Sequence, residues 1–256
     1  MSRFTVATIN LRNRADRWTA RRSLLVAQLL DTLPDAVCLQ EVSFPVRQGK
    51  WLRTQLNARL GQLPGRGGYE LVERRKSHPI HGYYEGIGIL SRLPILATDW
   101  LSLGYGGRVA LRANLELPTG RTIDLVCTHL HHQATHHEAR LEQVMWLTGW
   151  LNDTSRVPHQ VIAGDFNELP NGPAIRQIKQ VYRSAYQVVH GHEPLATFPT
   201  ALAGPGDWAG CLDYIFISPA VQAVAARIFL NRPGPNDNTL YPSDHVGLLA
   251  TLQVED

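Results

Sequence analysis

Polar residues recur where short apolar runs begin or end. Asn10 follows FTVATI, Glu41 follows AVCLQ and His129 follows LVCT. Asp165 and Asn167 follow VIAG in the tetrad GDFN, Asp213 opens DYIFI, and Asp244 with His245 precedes VGLLATL. Each residue alone is an ordinary cap or turn former, but the set divides into two chemistries. A hard divalent cation such as Mg²⁺ takes one or two carboxylates, further oxygen ligands and retained waters. Glu41, Asp165, Asn167, Asp244 and Asn10 offer such oxygens. His129 and His245 can transfer a proton or stabilise a developing oxyanion near neutral pH. A carboxylate bonded to a histidine fixes its tautomer and supports the imidazolium.

Positioning these groups requires strands that end at a common edge. β-rich runs recur at 4–9, 36–40, 86–90, 110–117, 122–128, 160–163, 212–217 and 246–252, several apolar on nearly every residue as in strands buried on both faces. Amphipathic segments at 20–33, stopped by Pro34, and at 137–151 predict helices, and a further helix is expected after Pro173. Strands that follow one another directly, interrupted by occasional helices, predict two packed sheets with helices outside rather than strict βαβ alternation. No repeat, low-complexity tract or polar linker divides the 256 residues, so one domain over 1–256 is expected.

Composition bounds the class. Apolar residues at 44% and charged residues at 18% describe a globular chain, not a disordered one. Cys38, Cys127 and Cys211 lie far apart without CxxC spacing, which argues against a zinc module or disulfide framework and suits a reducing compartment. The polar start MSRFTVATINLR and the lack of any run of roughly 18 apolar residues lead us to expect a cytoplasmic chain without a membrane span. The formal charge is only +3, but 22 of the 25 basic residues are arginines, whose planar forks pair bidentately with phosphate or carboxylate.

The blocks TIN (8–10), LQEV (39–42), THL (128–130), GDFN (164–167), LDYIF (212–216) and PSDH (242–245) stand in an order that resembles the endonuclease/exonuclease/phosphatase superfamily across essentially the whole chain. The resemblance implies an α/β fold, a four-layered α/β/β/α sandwich of two mixed sheets with outer helices and a site at one rim. It also implies a Mg²⁺-dependent hydrolase, Mn²⁺ substituting, that cleaves phosphodiester bonds by in-line attack of an activated water. In this likeness Glu41, Asn10 and Asp244 belong to the metal site. Asp165 and Asn167 orient the water, and Asp213 orients the phosphate-facing His245. His129 resembles the second histidine of the pancreatic-type deoxyribonuclease branch, where a glutamate, here Glu85, supports it. Tyr83 or Tyr84 is placed near the phosphate, and Arg108 resembles the phosphate-contacting arginine, with Arg112 as the competing choice.

Nucleic acid or a nucleotide-like diester is the first substrate expectation, and SAY (184–186) with TF (197–198) also resembles the layout of deadenylase-like and tyrosyl-DNA phosphodiesterase-like members. A sphingomyelinase-like or sugar or inositol phosphate hydrolase is the alternative. A silent phosphate-binding module would have lost site residues, and none is missing. Setting the five acids Glu41, Glu85, Asp165, Asp213 and Asp244 aside from the 22 leaves 17 against 25 basic residues, a balance that favours an anionic substrate. Arginines 12, 14, 17, 21 and 22 around Trp18, and a second group of Arg66, Arg74, Arg75, Lys76, His78 and His81, can flank the site. Trp208 stands in a Gly-rich loop near Asp213 and is a candidate substrate contact. The histidines at 131, 132, 136 and 137 read as a polar loop entering a helix rather than a zinc site, because no Cys or acidic partner completes a set. Arg140 and Gln143 on that helix read as structural.

Overall fold

The computed structural model describes residues 1–62, 67–203 and 208–255. In chain order the elements are β1 (Ser2–Asn10), α1 (Trp18–Thr32), β2 (Ala36–Ser43), α2 (Gln48–Leu60), β3 (Glu70–Arg75), α3 (His81–Tyr84), β4 (Glu85–Ser91), β5 (Ile95–Ser102), β6 (Val109–Glu116) and β7 (Thr122–His129). They continue with α4 (His137–Thr154), β8 (Gln160–Asp165), α5 (Pro173–Ile178), β9 (Arg183–Ser184), α6 (Ala185–His190), β10 (Asp213–Ile217), β11 (Gln222–Phe229) and β12 (Gly247–Val254). One six-stranded sheet has the order β11-β12-β1-β2-β4-β3 and the other β5-β6-β7-β8-β10-β9. The fold is the expected layered α/β sandwich.

Side-chain alternation builds the layers. In β1, Phe4 and Val6 face the other sheet, whereas Ala7 and Ile9 face Leu25 and Leu29 of α1 and Leu52 and Leu56 of α2. In β7, Leu125 and Cys127 face inward and Val126 faces Val144 and Leu147 of α4. The inter-sheet layer also takes Val161 and Ala163 of β8, Ile215 and Ile217 of β10, and Leu248, Ala250 and Leu252 of β12.

The same alternation creates the site. Asn10, His129, Asp165 and Asp213 occupy the inward register at the strand ends, one step past Thr8, Cys127, Ala163 and Ile215. The apolar core therefore turns polar at one rim. Topology brings these ends together, since β1 is parallel to β2 and β7 to β8. The antiparallel strands β4, β6, β10 and β12 start where their neighbours end, with Ser43 opposite Glu85, Thr128 opposite Ala110 and Asp165 opposite Asp213. Gly164 permits the close β7–β8 contact here, because a Cβ would lie 2.0 Å from the Thr128 carbonyl oxygen.

Helix α1 begins two residues earlier than its apolar pattern suggests, and α4 runs three residues further. The proline-led helix is α5, with Pro173 in its first turn. Helix α2 and strands β3, β5 and β11 are not evident from hydrophobic pattern. Helix α2 is polar apart from the buried Leu52, Leu56 and Leu60 and the part-buried Trp51, while most of β5 and half of β11 is solvent-facing. Among the described residues, no helix is long and apolar enough to cross a membrane.

Candidate active site

A cleft of about 360 Å³ opens at the polar rim. Asp165 is its hub. One oxygen accepts the backbone N–H of Asn167 at 2.9 Å, and the other accepts the Asn10 amide at 3.0 Å. That second oxygen lies 3.5 Å from His129 Nε2 and 3.8 Å from His245 Nε2. Burial, reinforced by the charge of Asp213, raises the Asp165 pKa well above the usual carboxylate range, so its proton affinity is that of a base working nearer neutrality.

The two histidines differ. His245 Nδ1 is 2.8 Å from Asp213, which is held in turn by backbone bonds from Leu212 and Asp213 to the Thr197 hydroxyl. Burial works against the imidazolium, but the charge and hydrogen bond of Asp213, helped by Asp165 and Asp244, outweigh it and raise His245 to about 10. His129 has no such partner: its buried Nδ1 bonds to nothing among the described residues. Burial and the positive charges of Arg108 and Lys76 push its pKa well below the ordinary histidine value, so it is a neutral imidazole.

The glutamate expected to support His129 does not do so. Glu85 forms an ion pair with Lys76 and accepts the Asn13 amide at 3.4 Å. Lys76, which sequence places only within a broad basic group, thus lines the cleft. Tyr83 and Tyr84 are also displaced from expectation: both are exposed on α3, edge to face with each other, and neither lines the cleft. Arg108 does line it, almost fully buried, with Nη1 unbonded among the described residues. Arg112 lies in a different groove, paired with Asp99 and resting on Trp150. Trp208 borders the cleft and lies over Arg140, 5.5 Å from guanidinium to ring centroid.

Glu41 and Asp244 occupy the opposite side. Asn10 donates to Glu41 at 3.2 Å while its own oxygen accepts the Arg12 N–H at 2.9 Å, so its nitrogen faces the carboxylates. A left-handed φ of 50° at Glu41, beside a register shift in β2, re-aims this side chain from the helix face to the rim. Asp244 follows Ser243, whose hydroxyl donates to the Asn10 carbonyl at 2.6 Å, and is 3.2 Å from Arg12 Nε. Burial first, then the charges of Glu85 and Asp244, raise the Glu41 pKa. A cluster of mutually repelling oxygens is a good fit for a hard divalent cation. Asp165, Asp213 and His245 also present ligand atoms within 4.8 Å of one another, a spacing that could hold a metal, although the proton on His245 competes for the same place.

Arg140 and Gln143 are structural, as their position suggests. Gln143 accepts the His131 N–H at 2.8 Å and donates to the Leu103 carbonyl at 3.0 Å, while Arg140 bonds Glu168 at 2.8 Å. Arg21 departs from its rim neighbours, for it is fully buried. Arg66 lies outside the described residues. Phe198, 4.8 Å from the His245 ring, and His132 also line the cleft, and only adjacency to other blocks hints at them in the sequence.

Residues 7–245 match the Endonuclease/Exonuclease/phosphatase family. The chain belongs to this family. Its members are generally divalent-metal-dependent hydrolases of phosphoester bonds. The chain is similar in structure to an endonuclease/exonuclease/phosphatase of Bacteroides vulgatus, with TM-score 0.79, 21% identity and all of both chains covered. It is also similar to the human Nocturnin catalytic domain with bound sulfate anion, with TM-score 0.74 and 20% identity over 99% of this chain and 95% of that one. A mannosyl-6-phosphatase of Bacteroides thetaiotaomicron aligns with TM-score 0.77 and 19% identity over 98% and 99% of the two chains. At these identities the likeness is one of fold. No curated protein matches the chain in sequence.

Proposed function

We propose that this chain is a Mg²⁺- or Mn²⁺-dependent phosphodiesterase acting on nucleic acid or a nucleotide-like diester. The observation that carries the reading is the buried Asp165 between two imidazoles, sharing a cleft with an Arg108 guanidinium whose Nη1 is unbonded among the described residues. A buried donor without a partner is costly, and a phosphate oxygen would satisfy it. Glu41 and Asp244 would hold the cation, with Asn10 positioning Glu41 through its amide. When bound, the cation supplies positive charge to the phosphate oxygens.

Asp165 takes a proton from the attacking water, held in register by Asn10 and the Asn167 N–H. The water oxygen forms the new bond to phosphorus as the bond to the leaving oxygen breaks. His245, charged and fixed by Asp213, donates to that side of the phosphate and can protonate the leaving oxygen. His129, neutral, offers a hydrogen bond without adding charge. Arg108 and Lys76 balance the anionic substrate. The free, buried cysteines suit a reducing, cytoplasmic setting.

Hydrolysis of bis(p-nitrophenyl) phosphate should require Mg²⁺ or Mn²⁺ and stop with EDTA; activity that survives chelation refutes the metal mechanism. Comparison of DNA, RNA, sphingomyelin and sugar phosphates as substrates tests the class. Nucleic-acid binding should also weaken steeply with salt.

A further inference from the structure

A strip of rings leads outward from the cleft. His132 lines the cleft, and His131 lies 5.4 Å from it by ring centroid. Tyr105 stands 6.0 Å from His131, and Trp146 stands 6.3 Å from Tyr105 with the two planes within 15° of parallel. The outer rings are open to solvent, Tyr105 at 42% and Trp146 at 44% exposure. They are nevertheless fixed. Tyr105 donates its hydroxyl to Glu142 at 2.8 Å, and a Cβ on Gly104 would stand 3.0 Å from the Trp146 ring, so this glycine gives the indole room against the loop. The same loop leads directly to Arg108.

Only the outer pair is near-parallel, since the buried His131 ring is inclined 62° to His132 and 53° to Tyr105, and the strip carries little positive charge. Burial, with His132 and Arg108 adding to it, lowers His131 to about 4, and burial also lowers His132. Glu142 and Glu138 act electrostatically on Tyr105 and would repel a phosphate laid on it. Neutral faces flanked by acids favour bases, whereas the cleft, with Arg108 and Lys76, favours phosphate. Aromatic platforms of this kind hold successive bases whatever their sequence. A duplex keeps its base faces stacked inside, so it cannot use them.

We propose that Tyr105 and Trp146 form a stacking platform for unpaired nucleobases beside the scissile phosphate, making single-stranded nucleic acid the preferred substrate of this site. The inference rests on the phosphodiesterase reading above. The strand lies with bases toward the rings and backbone turned away from Glu138 and Glu142.

The test compares wild type with Tyr105→Ala, Trp146→Ala and the double variant on single-stranded DNA and RNA oligonucleotides, the same oligonucleotides in duplex, and bis(p-nitrophenyl) phosphate. KM for single strands should rise about tenfold per ring removed, with kcat and small-diester hydrolysis unchanged; Tyr105→Phe should retain wild-type KM. Unchanged KM on single strands, or an equal rise on duplex, overturns the platform. An altered oligomeric state in the Trp146 variant would identify a protein interface and overturn it too. If wild type hydrolyses the small diester but no oligonucleotide, the nucleic-acid reading fails and the platform with it. If it hydrolyses no diester, the phosphodiesterase reading itself fails.

Discussion

Two strand–helix–strand units, β1–α1–β2 and β7–α4–β8, supply the two sides of the cleft by the same device. Each has a fully buried arginine at the fourth residue of its helix, Arg21 in one and Arg140 in the other, and the loop from the first strand is tied to it. Each is followed at the rim by a functional residue with left-handed backbone, Glu41 at φ 50° and Asn167 at φ 48°. The difference lies in how the arginine is neutralised. Arg140 bonds the buried carboxylate of Glu168 as well as the carbonyls of His131, Gln133 and Ala134. Arg21 bonds carbonyls: Leu11, Arg12, Asn13, Ala15 and Asp16 in its own loop, and Pro242 just before Ser243 and Asp244. Burial, unopposed by a bonded carboxylate, lowers Arg21 to about 10. One loop is anchored by an ion pair and the other by carbonyl dipoles, so the halves should fail differently.

The largest effect is expected on the α4 side. Arg140→Met leaves the buried Glu168 with only the half-exposed His137, 2.8 Å from its other oxygen, and should cost about 3 kcal/mol of stability, the lower end for a broken buried pair, measured by urea unfolding. Adding Glu168→Gln should recover part of that loss. If the single variant costs under about 1 kcal/mol, the ion pair is not what anchors this loop. On the other side, Arg21→Met removes charge-assisted bonds but strands only carbonyls and no carboxylate. Its stability loss should be smaller, about 1.5–3 kcal/mol. Because that loop carries Arg12 and ties to the chain before Asp244, its main readout should be a higher Mg²⁺ concentration for half-maximal activity. Equal Mg²⁺ dependence in the two arginine variants would show that the halves do not divide the work this way.

What the sequence reveals follows from the same geometry. Asn10, His129, Asp165 and Asp213 are legible because each continues the alternation of an apolar strand one step past the core, and because several such residues accumulate where any one alone would read as a cap or turn former. Lys76, Arg12 and Arg21 are not legible. Each sits among other basic residues, and only the folded loops decide that Lys76 pairs with Glu85, Arg12 with Asp244, and Arg21 with backbone. The family likeness implies that Glu85 supports His129, but a competitor for its carboxylate, Lys76, is nine residues away and local pattern does not expose it. Helix α2 escapes notice because most of its surface is polar and one narrow stripe is buried, and β5 because its apolar residues do not alternate and most of the strand is exposed.

A second contrast between the halves is the state of their histidines, and Asp213 controls it. The His245 pKa, raised to about 10, is above its ordinary value, so the imidazolium contributes stability that is fully present below about pH 6.5 and lost as pH rises through about 10. Asp213→Asn should return His245 toward neutrality. The alkaline limb of the kcat profile should then move down by about two pH units or more, with activity at pH 9 falling about tenfold. The acid limb belongs to Asp165, which must be deprotonated to accept the water proton; with the Asp213 charge that helps raise its pKa gone, that limb should move down as well. An unchanged alkaline limb would mean that the His245 charge takes no part in turnover.

The smallest expected effect concerns a bond that joins the halves. Asn10 belongs to β1, yet its amide nitrogen reaches both Glu41 in its own unit and Asp165 in the other. Asn10→Ala removes a neutral donor from two carboxylates without placing a charge in the core. It should lower kcat/KM about tenfold or somewhat more, in keeping with about 1.5–3 kcal/mol for hydrogen bonds to charged groups. Fold stability should change less, because Glu41 and Asp165 remain at the cleft surface where water can approach. The informative variant is Asn10→Asp. If Asn10 works by donating to two carboxylates, a third carboxylate in its place is worse than alanine at low Mg²⁺ and improves as Mg²⁺ is raised. If it works instead through its oxygen, Asp keeps that oxygen and should exceed Ala at every Mg²⁺ concentration.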